Sequence, residues 1–304
     1  AEVLVHEGAR LTYSMFDRKL DAVAAGLAAR GVSHGDRVGI LCDNSIDALV
    51  ALFGTIRLGA IAVPMGSRQQ APELEHVFND AGIVALVFDA ALADRLPPAE
   101  RTPALRHIFA TAGTVEGASP FESLLADTTF APAMIDQRDP AIIMYTSGTT
   151  GQPKGAILPH LAMVHTAMHF VLALGHSARS RALLTIPASH ISGLGAVVMA
   201  MLHAGGCIVI DNAFRASSFL ARMETEQITF TVLVPAMYKL CLVDSAFEQT
   251  DLSHWEIGLF GGSIMPPATI AELAEKLPHL QLINAYGATE TTSPATIMPP
   301  GWIG

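Results

Sequence analysis

The chain has 304 residues, 51% of them hydrophobic and 15% Asp, Glu, Lys or Arg, which excludes an intrinsically disordered protein. Eighteen basic against 28 acidic residues give a net charge of −10, so no basic face is expected for nucleic acid or an anionic membrane. Three dispersed cysteines, Cys42, Cys207 and Cys241, without a C-x-x-C, point to reduced thiols and a cytoplasmic location. The most apolar stretch, 194–210, is interrupted by His203, Gly205 and Gly206 and falls short of the ~20 unbroken apolar residues of a membrane span.

Strand and helix signals alternate along the chain. Ser14 is placed to cap a helix that carries Phe16, Leu20, Val23 and Leu27 on one side and ends before Gly31. Strands are expected at 37–41, 60–63 and 83–88, with helices at 45–58 and 72–80. Residues 94–139, rich in Pro, Ala and Thr with one strand signal at 107–109, read as a connection. The rhythm then resumes, with strands at 141–145, 182–186, 207–210, 229–233, 256–260 and 280–284. Helices fit at 159–174, 193–203, 216–226, 236–243 and 267–276. Continuous apolar strands between amphipathic helices imply an α/β fold of mostly parallel sheets flanked by helices. The expected units are 1–139 and 140–304.

The densest chemistry lies in YTSGTTGQPKG, residues 145–155, expected to follow a strand and precede a helix. Glycines let backbone N–H groups converge on phosphate oxygens, and the hydroxyls of Thr146, Ser147, Thr149 and Thr150 add donors. Lys154 adds a mobile positive charge. The segment is not a Walker A loop, because Pro153 stands where the second glycine is required. His165 and His169 have zinc-ligand spacing, but Thr166 stands where H-E-x-x-H requires Glu, so they read as a helix-surface pair.

The segment resembles the signature loop of the adenylate-forming (AMP-binding) enzymes, among them acyl-CoA synthetases and aryl-CoA ligases. Three further segments match in the expected order: TIPASHISGLG at 185–195, LFGGSIMPP at 259–267 and NAYGATE at 284–290. The resemblance implies the N-terminal, two-sheet part of that fold, without its β-barrel subdomain or C-terminal domain. It also implies an ATP-dependent ligase that joins a carboxylic acid to CoA through an acyl-adenylate. The family's ribose-binding Asp and terminal catalytic Lys would follow Gly304, so the chain is expected to be a piece of a longer protein, weak or inactive alone.

The same resemblance assigns roles. Thr146, Ser147, Gly148, Thr149, Thr150, Gly151 and Lys154 would hold the ATP phosphates. Adenine would lie between Tyr286, whose ring suits stacking on a purine, and the Gly261-Gly262-Ser263 backbone, with Asn284, Ala285 and Gly287 beside it. Thr289 would orient the carboxylate, and Glu290 offers a hard oxygen to Mg²⁺. Lys154, Thr289 and Glu290 form the expected catalytic set. The segments 190–197, 234–237 and 261–264 would wall the acyl pocket, with His190, Gly193, Leu194, Val197 and Gly262 as its named residues. The segment 188–191 lacks the Asp with which amino-acid-activating domains hold an ammonium, which favours an apolar aliphatic or aromatic acid. Two other readings stay open: an amino-acid-activating domain, and a non-catalytic nucleotide or acyl binder on the same fold.

Overall fold

The structure, a computed structural model, describes residues 1–125, 130, 134–146, 152–299 and 301. Ser147, Gly148, Thr149, Thr150 and Gly151 lie outside the described residues. The chain opens with strands β1 (Glu2–His6) and β2 (Ala9–Thr12) and divides into two compact units. One comprises residues 12–162, the other 1–11 together with 163–304.

The 12–162 unit starts with α1 (Tyr13–Ala28), capped by Thr12, whose hydroxyl accepts from Met15 N. The cap is therefore two residues earlier than Ser14, because Thr12 holds the extended backbone that a cap requires. There follow β3 (Arg37–Leu41), α2 (Ile46–Leu58), β4 (Ile61–Pro64), α3 (Ala71–Ala81) and β5 (Ile83–Asp89). α2 begins on a Ser45 cap and stops at Gly59, whose φ of 82° suits a residue without Cβ. Short strands β6 (His107–Thr111) and β7 (Ser119–Pro120) and the hairpin of β8 (Pro140–Thr146) and β9 (Lys154–Pro159) complete the unit.

Its sheet runs β7-β6-β5-β3-β4-β8-β9, parallel except for β9. β8 pairs with β4, so Tyr145 and Thr146 belong to the first sheet, whereas the sequence reading set residues 140–304 apart.

The second unit contains most of α4 (His160–Leu174), then β10 (Arg181–Leu184), a π-helical segment Ser192–Met199 and α5 (Ala200–Ala204). β11 (Cys207–Ile210), α6 (Ala216–Thr225), β12 (Phe230–Leu233) and α7 (Pro235–Val243) follow. The last elements are β13 (Ile257–Phe260), α8 (Pro267–Lys276), β14 (Gln281–Tyr286) and β15 (Thr296–Ile297).

The second sheet runs β15-β14-β13-β12-β10-β11-β1-β2. Its β14, β13, β12, β10, β11 and β1 are mutually parallel. Its core centres on Trp255, stacked on Tyr238 with ring centroids 5.8 Å apart. Both polar tips are satisfied: Trp255 Nε1 donates to Thr231 Oγ1 and the Tyr238 hydroxyl to Leu259 O. Cys207 and Cys241 are buried and free, and burial pushes the Cys241 thiol up to about 12. Among the described residues no helix is long and apolar enough to cross a membrane.

Candidate active site

The 12–162 unit presents the stems of the phosphate-type loop. Tyr145 and Thr146 end β8, Lys154 begins β9, and Thr146 stands opposite Lys154 in the ladder. The loop is thus part of a β-hairpin and does not lead into a helix, which corrects the sequence reading. Residues 154–158 pair with β8 before Pro159 ends the strand, and α4 starts only at His160.

Helix α3 grips both stems. The Tyr145 hydroxyl donates to Asp80 at 2.6 Å, and His76 Nε2 donates to the Pro153 carbonyl at 3.0 Å. The two rings meet edge to face at 6.3 Å. Gly155 is required here, because a Cβ would come within 2.7 Å of Ile143 Cγ2 and 3.1 Å of the Tyr145 ring. Lys154 is exposed, and among the described residues nothing engages its ammonium.

The second unit places two cavities at the carboxyl ends of its strands. This is where the sheet changes direction between β10 and its neighbours β11 and β12, the usual ligand position in such sheets. The first, about 300 Å³, is lined by Ile186 beyond β10, Val232, Leu233 and Val234 at β12, and Leu259, Phe260, Gly261 and Gly262 at β13. Phe170, His190, Ile191, Ser192, Ala196, Ala285, Gly287, Ala288, Thr289 and Ser293 complete it. No Asp, Glu, Lys or Arg stands among the described residues of this lining. Partial burial lowers the His190 pKa below its ordinary value, which favours a neutral imidazole at the wall.

The second cavity, about 570 Å³, gathers Gly261, Gly262 and Ser263 against Asn284, Ala285, Tyr286 and Gly287, with Ile264, Met265, Ile270 and Met298. Tyr286 is 67% exposed, so its ring is open to a flat ligand. The two cavities share Phe260, Gly261, Gly262, Ala285 and Gly287. The glycine backbone is therefore a thin common wall, and a Cβ on Gly261 would lie 2.4 Å from Ala285 O.

Beyond β14, Thr289–Thr291 form a 3₁₀ turn. Thr289 faces the first cavity, while Glu290 is exposed, lines neither cavity and has no partner among the described residues. A carboxylate not already neutralised by a protein cation fits a Mg²⁺ ion, which is held by one or two carboxylates beside substrate phosphates and waters.

Of the expected acyl-pocket residues, the structure brings His190 and Gly262 to the first cavity. Gly193, Leu194 and Val197 are buried and stand outside its lining. Ser192 and Ala196, four residues apart in the π-helical segment, line the cavity in their place. Gly193 instead packs on Pro187, where a Cβ would lie 2.3 Å from the carbonyl oxygen. Ser192 and Ala196 lie within the segment 190–197 expected to wall the pocket, whereas Phe170 and Ser293 were not singled out in the sequence. The buried face of α4, with Phe170 one helical turn after Thr166, was the available signal for the first.

The AMP-binding enzyme family matches residues 1–303. The chain belongs to this family. Among AMP-binding enzymes, it is 32% identical over 292 residues to a feruloyl-CoA synthase of an Amycolatopsis species, covering 95% of this chain and 56% of that protein. It is 29% identical over 294 residues to the long-chain-fatty-acid–CoA ligase FadD13 of Mycobacterium tuberculosis, covering 95% and 57%. The chain thus spans little more than half the length of the curated relatives it matches. The inhibitor-bound N-terminal domain of FACL13 from Mycobacterium tuberculosis superposes with a TM-score of 0.89 at 27% identity, covering 98% of this chain and 74% of that one. The anthranilate CoA ligase AuaEII in complex with anthranoyl-AMP shares the fold, with a TM-score of 0.94 at 24% identity, covering 99% and 59%. The two mostly parallel sheets without a barrel correspond to the N-terminal portion of such ligases.

Proposed function

We propose that this chain carries the acid- and nucleotide-binding part of an ATP-dependent carboxylic acid:CoA ligase that acts on apolar acids. The observation that carries the proposal is the pair of cavities divided by the Gly261–Gly262 backbone. One has no charged side chain among its described lining and a single imidazole, and the other is open beside the Tyr286 ring. CoA ligases among the relatives support the reaction class.

In the first half-reaction a carboxylate oxygen attacks the α-phosphorus of ATP. The bond from that phosphorus to the bridging oxygen breaks, and pyrophosphate leaves. In the second, the thiol sulfur of CoA attacks the acyl carbon, its proton passes to solvent, and AMP departs. The protein's work is placement and charge compensation. The first cavity would hold the acid with its carboxylate toward Thr289 and His190. A neutral imidazole there does not trap the carboxylate as a salt. The second cavity would take adenine against Tyr286, with Asn284 and the Gly261-Gly262-Ser263 backbone at its edges. Thr146 and Lys154, with Ser147, Gly148, Thr149, Thr150 and Gly151, would hold the phosphates. Glu290 would hold Mg²⁺, which when bound neutralises phosphate charge.

The lining supports an apolar acid over an α-amino acid, because no carboxylate stands among its described residues to meet an ammonium. The test is carboxylate-dependent exchange of pyrophosphate into ATP by the protein in its natural full length. Aryl, medium-chain, long-chain and α-amino acids form the panel. Exchange with apolar acids and none with α-amino acids is expected. Absence of exchange with every acid would leave the fold as a binding module.

A further inference from the structure

Helix α4 buries Met163, Thr166, Ala167, Phe170 and Leu174 along one face. Thr166 is the polar member of that set and is 4% exposed. Its Oγ1 donates to the carbonyl oxygen of Thr292 at 2.8 Å. Thr292, itself 5% exposed, follows the turn that carries Thr289 and Glu290. It has a φ of 58° and the next residue, Ser293, a φ of 38°. Two successive non-glycine residues in the left-handed region are unfavourable and need outside support.

Part of that support is local. Thr292 N donates to Thr289 O at 2.9 Å, and Ser293 N donates to Ala288 O at 3.3 Å. These bonds close the turn on itself but fix it to nothing else. The Thr166 bond is different in kind, because it ties the turn to a helix more than a hundred residues earlier in the chain. The π-helical wall of the acid cavity abuts the same pair. A Cβ on Gly195 would lie 3.1 Å from Thr166 Cγ2 and 3.8 Å from Thr292 O. One buried hydroxyl therefore stands where the turn, α4 and the cavity wall come together.

We infer that Thr166 is a positioning residue that acts through the Thr292 carbonyl to hold Thr289 and Glu290 in place for adenylate formation. The inference rests on the adenylating activity proposed above. Replacing the hydroxyl by a methyl keeps the side chain's shape and leaves a buried carbonyl without its donor. The turn then loses its tie to α4, keeping only its own bonds and the pairing of β14 with β15 at its base, while the helix keeps its packing.

Two variants separate the donor from the volume. Thr166→Val removes the donor, and Thr166→Ser keeps it. In Thr166→Val, pyrophosphate exchange should fall by roughly tenfold, with a several-fold rise in the Mg²⁺ concentration for half-maximal rate, as expected when a positioned group is lost. Thr166→Ser should restore both to within about twofold of the parent. A purely structural role would lower the melting temperature without moving the Mg²⁺ dependence.

Amide hydrogen exchange supplies a readout independent of activity. Peptides covering 288–293 should exchange faster in Thr166→Val and at the parental rate in Thr166→Ser. The β11 strand, 207–210, should be unchanged in both and reports that the variants are folded. Unaltered exchange at 288–293 in Thr166→Val would overturn the anchoring. Unaltered Mg²⁺ dependence and rate would overturn the catalytic consequence. If the parent itself exchanges no pyrophosphate with any acid, the ligase reading fails, and the positioning role in adenylate formation fails with it.

Discussion

The Tyr145 hydroxyl donates to the Asp80 carboxylate at 2.6 Å, one helical turn from the point where His76 meets the Pro153 carbonyl. Helix α3 therefore holds the hairpin on both sides of the loop that the sequence marks for phosphate. Burial, and secondarily the Asp80 charge, raise the Tyr145 pKa, so the phenol stays a donor throughout the neutral range. Tyr145→Phe should cost about 1 kcal/mol, the usual net worth of one such bond. It should also raise KM for ATP more than it lowers the melting temperature. Urea denaturation and initial-rate kinetics on the same variant give both numbers.

Lys154 gives the opposite combination. Its ammonium is exposed and unengaged among the described residues, so Lys154→Ala should leave stability within about 0.5 kcal/mol of the parent. Pyrophosphate exchange at limiting ATP should drop by an order of magnitude or more, by loss of the charge proposed above to meet phosphate. Parental ATP kinetics in that variant would remove Lys154 from the proposed site.

His176 should make stability depend on pH. It is buried, packs edge to face on Phe230 at 4.4 Å, and burial lowers its pKa to about 4 from the ordinary 6.5. The folded state keeps the ring neutral while the unfolded state protonates it near 6.5. Stability from this group is thus complete above pH 6.5 and is lost progressively as pH falls toward 4. The loss is on the order of 3 kcal/mol by linkage. His176→Gln should flatten that part of the profile. Urea midpoints at pH 5 and pH 7.5 for parent and variant are the measurement.

The π-helical segment predicts a division of labour between adjacent residues. Ala196 lines the acid cavity and Val197 does not. Ala196→Val should shift the preferred acid toward smaller members of the panel. Val197→Ala should leave the preference alone and cost about 1 to 3 kcal/mol by opening a space in a packed region. Reversal of these two effects would mean that Val197, and not Ala196, faces the cavity.

How much of this was visible in the sequence varied with the kind of interaction. The strands at 37–41 and 207–210 and the helix at 267–276 have the bounds expected from their patterns. Each is defined by residues within itself. β1 and β2 escaped notice because EVLVH becomes a strand only by pairing with β11, about two hundred residues later. β9 escaped because Lys154 and Gly155 look like the end of a loop, and their pairing with Tyr145 and Thr146 is a tertiary fact. The glycines, Tyr286 and Thr289 of the candidate site were legible as motifs. Ser192 and Ala196 fell within the segment 190–197 but were not told apart from Val197, because composition alone does not say which side of an apolar helix faces a cavity. Thr166 drew attention only as the residue that spoils a zinc motif.

The pairing of β1 with β11 also has a consequence for how the chain is made. At about 5 to 20 residues per second, β11 leaves the ribosome roughly 10 to 40 s after β1. Throughout that interval Val3, Leu4 and Val5, fully buried in the finished sheet, have β2 beside them on one edge and nothing yet on the edge that β11 will take. The 12–162 unit, with its own sheet, emerges complete in the meantime. β1, made before the whole 12–162 unit, thus reaches its place after it. An apolar strand with one edge open for that long invites pairing with other nascent chains. Translation slowed between residues 12 and 207 should therefore lower the soluble yield more than the same slowing after residue 210.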